Sequence, residues 1–113
     1  MRVLVADDDP EMRGWLLRAL AFQGHVAEAV GDGDELIRRA AAFDADVVLS
    51  DIGLPGCDGI SAGLRLRKNR PGRAVILMTG DRARAAEARR AGFPAVLDKP
   101  FALGELSAAL SSF

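Results

Sequence analysis

Asp7, Asp8 and Asp9 follow directly on the apolar run Val3–Ala6, and Asp51, Thr79 and Lys99 each stand at the end of a later apolar run. Two carboxylates about 5 Å apart repel by roughly 3 kcal/mol at an effective dielectric near 20. A cluster of acids therefore needs open water or a cation. Oxygen donors in this number suit a hard cation, and Mg²⁺ is usually held by one or two carboxylates with several waters. With such an ion shared between Asp7 and Asp8, Asp9 is the better placed of the three to cap a helix started by Pro10. A carboxylate beside the ion, facing a hydroxyl and an ammonium, is equipped to accept a phosphoryl group. Asp51 attacks phosphorus in line, Thr79 donates a hydrogen bond to an equatorial oxygen, and Lys99 neutralises developing charge.

That chemistry requires one rim that receives the ends of several strands. Short runs rich in Val, Leu and Ile predict strands at Val3–Ala6, Asp46–Ser50 and Ala74–Thr79, with weaker ones at Val26–Ala29 and Ala95–Leu97. The intervening stretches have helical spacing. The clearest helix starts at Pro10 and carries Met12, Trp15, Leu16, Ala19, Leu20 and Phe22 on a face about 160° wide, and Gly24 stops it. Asp34–Phe43, Ile60–Lys68, Arg82–Ala91 and Ala102–Ser111 complete the set. Five alternating pairs imply a parallel sheet covered on both faces. In such sheets ligands bind beyond the carboxyl ends of the strands, which is where the polar residues gather.

The chain of 113 residues fits one domain. Its net charge of -1 gives no electrostatic case for direct binding to nucleic acid or to an anionic membrane. A lone Cys57 fits a reducing compartment and a loop position, and no apolar stretch reaches the length of a membrane span. A soluble cytoplasmic protein is expected. The chain ends with the fifth helix, so no output domain is expected within it.

Four fragments carry a family resemblance: VLVADDDP from Val3 to Pro10, VVLSDIGLPGCDG from Val47 to Gly59, VILMTGD from Val75 to Asp81, and VLDKPF from Val96 to Phe101. In this order and spacing the chain resembles a response-regulator receiver domain of two-component signalling over its whole length, 1–113. The resemblance implies a doubly wound, flavodoxin-like α/β fold with five parallel strands in the order 2-1-3-4-5. It also implies that Asp51 accepts the phosphoryl group from phosphohistidine on a histidine kinase or phosphotransfer protein, as a signalling domain rather than an enzyme acting on outside substrates. Asp8, Asp51 and the backbone carbonyl of Gly53 would hold Mg²⁺, with Asp7 assisting through water. Thr79, Gly80 and Lys99 would line the phosphoryl site, and the Lys99–Pro100 peptide would be cis. Two positions depart from the family pattern. Val96 stands where an aromatic ring usually answers the movement of the threonine, and Gly80 replaces the usual alanine, which should open access and loosen the loop.

Two other readings compete. Asp7-Asp8-Asp9 also satisfies the D-x-D pattern of haloacid-dehalogenase-like phosphatases, with Asp7 as nucleophile, but that leaves Asp51 without a role. A phosphorylation-independent scaffold draws support from Val96 and Gly80 but not from the intact acidic set. His25 is the only histidine, so a site with several histidines is excluded. Arg82, Arg84, Arg89 and Arg90 read as a solvated helix face interleaved with Glu87, and Gly31-Asp32-Gly33 as a turn. Trp15 and Phe22, at the edge of the broad apolar face, are either core or a docking surface for a helical partner.

Overall fold

The computed structural model describes residues 1–113. Strands β1 (Arg2–Ala6), β2 (Val26–Val30), β3 (Val47–Asp51), β4 (Ala74–Thr79) and β5 (Val96–Asp98) alternate with helices α1 (Pro10–Phe22), α2 (Gly33–Phe43), α3 (Gly59–Asn69), α4 (Arg82–Arg90) and α5 (Leu103–Leu110). The strands are all parallel, in the order β2-β1-β3-β4-β5. This is the flavodoxin-like arrangement that the resemblance implies. No helix is long and apolar enough to cross a membrane.

The period-2 alternation of the strands divides the core in two. Val3, Val5, Val47, Leu49, Ile76 and Met78 pack with Leu16 and Leu20 of α1 and Leu106 and Leu110 of α5. Leu4, Ala6, Val48, Val75 and Leu77 face the other way, onto Leu36, Ile60, Leu66 and Ala88 of α2, α3 and α4. Because both faces are covered, β1 and β3 are apolar almost throughout.

Aspartates start four of the five helices. Asp9, Asp32, Asp58 and Asp81 accept hydrogen bonds from first-turn N–H groups of α1, α2, α3 and α4. At α5 the N-cap is Ala102, and Glu105 reaches back to its N–H at 3.2 Å. Two glycines let helix starts press on the loop after β3. A Cβ on Gly59 would stand 2.2 Å from the Asp51 carbonyl oxygen, and one on Gly33 would stand 1.7 Å from that of Cys57. Any larger residue would displace backbone there, so both contacts help to place the segment that begins at Asp51.

Strand ends differ from expectation by one residue in four strands: β1 begins at Arg2, β2 runs to Val30, and β3 and β5 are each shifted by one. β3 begins at Val47 and includes Asp51, because Asp51 still pairs with Met78. β5 runs to Asp98, opposite Thr79, rather than ending at Leu97. The expected solvated face of α4 needs a larger correction. Arg82, Arg89 and Arg90 are exposed, but the half-buried Arg84 forms ion pairs with Asp58 and with Glu87, tying α4 to the cap of α3.

Candidate functional site

Register brings the acids together. β1 ends at Ala6 opposite Ser50, so Asp7 leaves the sheet beside Asp51. The carboxylates of Asp7, Asp8 and Asp51 each offer an oxygen within 4.8 Å of the others. Asp7 is 1% exposed and fully engaged, with Oδ1 accepting from the Asp9 N–H at 2.9 Å and Oδ2 from Lys99 Nζ at 2.8 Å. Asp8 is exposed. The Asp51 side chain is 16% exposed, within reach of a ligand, and its Oδ2 lies 3.5 Å from Lys99 Nζ. Asp9 takes the capping role expected of it, accepting from the Glu11 N–H at 3.0 Å.

Three carboxylates lie together with one ammonium, which pairs with Asp7 and Asp51, and the titration behaviour follows. Burial pushes the Asp51 carboxyl above its ordinary value; Lys99 pulls it back, while Asp7 and Asp8 add to the rise. Burial pushes the Lys99 ammonium down, but the hydrogen bond to Asp7 and the charges of Asp51 and Asp7 outweigh it, and the net shift is upward. The Asp51 carboxylate is thus left short of compensating charge. A small divalent ion beside it supplies that charge, and the donor set, all carboxylate oxygens open to water on the Asp8 side, fits Mg²⁺.

Across the crevice, Thr79 ends β4 and is 6% exposed. Its Oγ1 accepts from the Asp81 N–H at 3.1 Å, and the hydroxyl proton, with no protein acceptor, is free to donate. Thr79, Gly80, Arg82, Asp98 and Lys99 line a small polar pocket of about 210 Å³. A Cβ on Gly80 would rest 3.9 Å from Lys99, so glycine leaves the stem of that lysine uncovered. Gly53 follows Asp51 by two residues and is exposed. The Lys99–Pro100 peptide is cis. Val96 sits opposite Leu77 and packs against the α2-α3-α4 side of the core.

Trp15 and Phe22 part company. Trp15 is half-buried, its ring edge-on to Phe101 at 5.9 Å, whereas Phe22 is 86% exposed. Trp15, Met12, Asp9, Lys99, Pro100 and Phe101 line an open cleft of about 350 Å³ on the α1 side of the acids. Three contributors were not evident from sequence. Phe101 completes the cleft, Asp81 orients the Thr79 hydroxyl, and Arg13 donates to the Asp7 carbonyl at 2.8 Å. Asp81 and Phe101 left a trace as the last residues of two of the family fragments, and Arg13 left none.

Known proteins resemble this chain over nearly its whole length. The transcriptional regulatory protein TcrA of Mycobacterium tuberculosis is 38% identical over 97% of this chain, which corresponds to 44% of TcrA. The chain thus spans about half the length of such relatives. Among solved structures, the receiver domain of the sensor histidine kinase PA1611 from Pseudomonas aeruginosa, with a magnesium ion coordinated in its active site cleft, is 28% identical. It superposes with a TM-score of 0.88 over 98% of this chain and 94% of that one. The response regulator TrrA of Thermotoga maritima, in complex with Mg²⁺ and BeF, is 27% identical with a TM-score of 0.88 over 98% of this chain and 96% of its own. The response regulator receiver domain family matches residues 3–111. By that match over nearly its whole length, this chain belongs to the response regulator receiver domain family.

Proposed function

We propose that Asp51 accepts a phosphoryl group from the phosphohistidine of a cytoplasmic histidine kinase or phosphotransfer protein and later releases it as inorganic phosphate. The observation that carries this reading is the place of Asp51: reachable from solvent, within 4.8 Å of two other carboxylates and 3.5 Å from the Lys99 ammonium. An Asp51 oxygen forms the new bond to phosphorus as the P–N bond to imidazole breaks, and the leaving nitrogen takes the electron pair. Water then attacks phosphorus and restores the carboxylate.

Asp8, Asp51 and the Gly53 carbonyl would hold Mg²⁺, with Asp7 acting through water. The ion supplies positive charge to the phosphoryl oxygens and to the crowded carboxylates. Lys99 and the free proton of Thr79 hold other phosphoryl oxygens, and Gly80 leaves that side open. The cleft beside Trp15 is where a helical histidine-bearing partner would rest to present its phosphate. Asp7 makes a poor nucleophile by comparison, since it is buried and both of its oxygens are engaged.

Incubation with Mg²⁺ and acetyl phosphate should add one phosphate per chain, labile to base and not formed when a chelator is present during the incubation, and Asp51→Asn should abolish it. No label at all would favour the scaffold reading. The response is expected to be small, because Val96 has no ring to reorient and α4 is tied to Asp58 through Arg84. Amide hydrogen exchange with Mg²⁺ and beryllofluoride should show new protection confined to 79–92. Exchange unchanged throughout, with the mimic bound, would leave the protein a phosphate sink.

A further inference from the structure

The Asp8 carboxylate is the least constrained of the three acids. It accepts no hydrogen bond and forms no ion pair, whereas the Asp7 side chain is held by Asp9 and Lys99. What aims Asp8 is therefore its backbone, and that begins with the peptide joining Asp7 to Asp8. Past the end of β1, the Asp7 N–H still donates to the Val30 carbonyl at 3.2 Å, but no backbone N–H donates to the Asp7 carbonyl. Its donor is the guanidinium of Arg13, at 2.8 Å. That guanidinium lies against the start of the β2-α2 loop, where a Cβ on Gly31 would be 3.4 Å from Nη1. Arg13 thus braces three elements at one point: α1, the exit of β1 and the loop after β2.

We propose that Arg13 is a positioning residue of the metal site: by holding the Asp7 carbonyl it fixes the Asp7–Asp8 peptide and directs the Asp8 carboxylate toward the ion. The inference rests on the proposed Mg²⁺ site. Its sign separates it from a simple effect of charge. Arg13 is a cation close to a cation site, so if only its charge mattered, removing it would tighten Mg²⁺ binding. If it positions Asp8, removing it weakens binding, as losing a hydrogen bond that orients a ligand commonly does by about tenfold or more.

Calorimetric titration of the unphosphorylated protein with MgCl₂ tests this without recourse to activity. Arg13→Met should raise the dissociation constant about tenfold, while Arg18→Met, which removes an exposed positive charge further along the same helix, should leave it unchanged. The denaturation midpoint in chelator, measured in parallel, reports any loss of fold. If Arg13→Met does not fold, Arg13→Lys, which retains charge and a donor but loses the planar fork, is read in the same way with a smaller expected loss. Unchanged or tighter Mg²⁺ binding in a folded Arg13 variant overturns the proposal, whatever its effect on stability. Failure of the parent protein itself to bind Mg²⁺ would overturn the proposed function and this inference together.

Discussion

The two ends of the sheet handle charge in opposite ways. At the amino-terminal ends of the strands, charges are answered one by one. Asp46 accepts from the Arg2 N–H at 2.8 Å, Asp44 pairs with Arg70 at 3.1 Å, and the buried Arg73 donates to the Ala45 carbonyl at 3.1 Å. At the carboxyl-terminal ends, Asp7, Asp8 and Asp51 crowd together, and the single ammonium of Lys99 pairs with only Asp7 and Asp51. The first end looks settled for folding alone. The second retains a local excess of negative charge that folding would not select, and in a receiver domain that excess is the means of recruiting an ion and a phosphoryl group.

Substituting one acid at each end should therefore have opposite consequences. Asp8→Ala is expected to weaken Mg²⁺ binding by about tenfold or more, and in chelator to raise the denaturation midpoint by relieving repulsion. Asp46→Ala should leave Mg²⁺ binding intact and lower stability by about 0.5–1 kcal/mol through loss of its bond to the Arg2 N–H. Calorimetry and urea denaturation of the two variants read both effects. Equal loss of stability at the two ends would remove the contrast.

A smaller effect sharpens it through pH. The Asp51 carboxyl titrates above its ordinary value of 3.8 in the folded protein, so the native state favours its protonated form. The resulting penalty is absent below the unfolded value and grows as pH rises through the raised folded value. In chelator, Asp51→Asn should therefore gain stability over the parent as pH rises from about 4, with the gap levelling off once Asp51 is ionised. Saturating Mg²⁺ should narrow that gap by stabilising the parent. A gap that is constant with pH would show that Asp51 bears no such penalty.

Much of this arrangement is legible in the sequence because it depends on local rules. Apolar runs mark β1, β3 and β4, the Asp9-Pro10 pair marks the start of α1, and strand ends carry Asp51 and Thr79. The strand order follows from family resemblance, since periodicity alone does not order strands. What stays hidden depends on tertiary reach. Arg84 finds Asp58 only once α3 and α4 lie side by side, and Arg13 finds the Asp7 carbonyl only because α1 folds back beside β1. Phe22 shows the limit of a helical wheel. It lies two turns beyond Trp15, only about 20° away around the helix. Yet Trp15 meets Phe101, while Phe22, at the last residue of α1, stays 86% exposed.

On the proposed function, the crowded end of the sheet places a phosphoryl group on Asp51. Borohydride reduction of the protein after treatment with acetyl phosphate and Mg²⁺ converts an aspartyl phosphate to homoserine, and peptide mass spectrometry then locates it. Homoserine is expected at position 51 alone. Homoserine at position 7 or position 8, with position 51 unmodified, would contradict it.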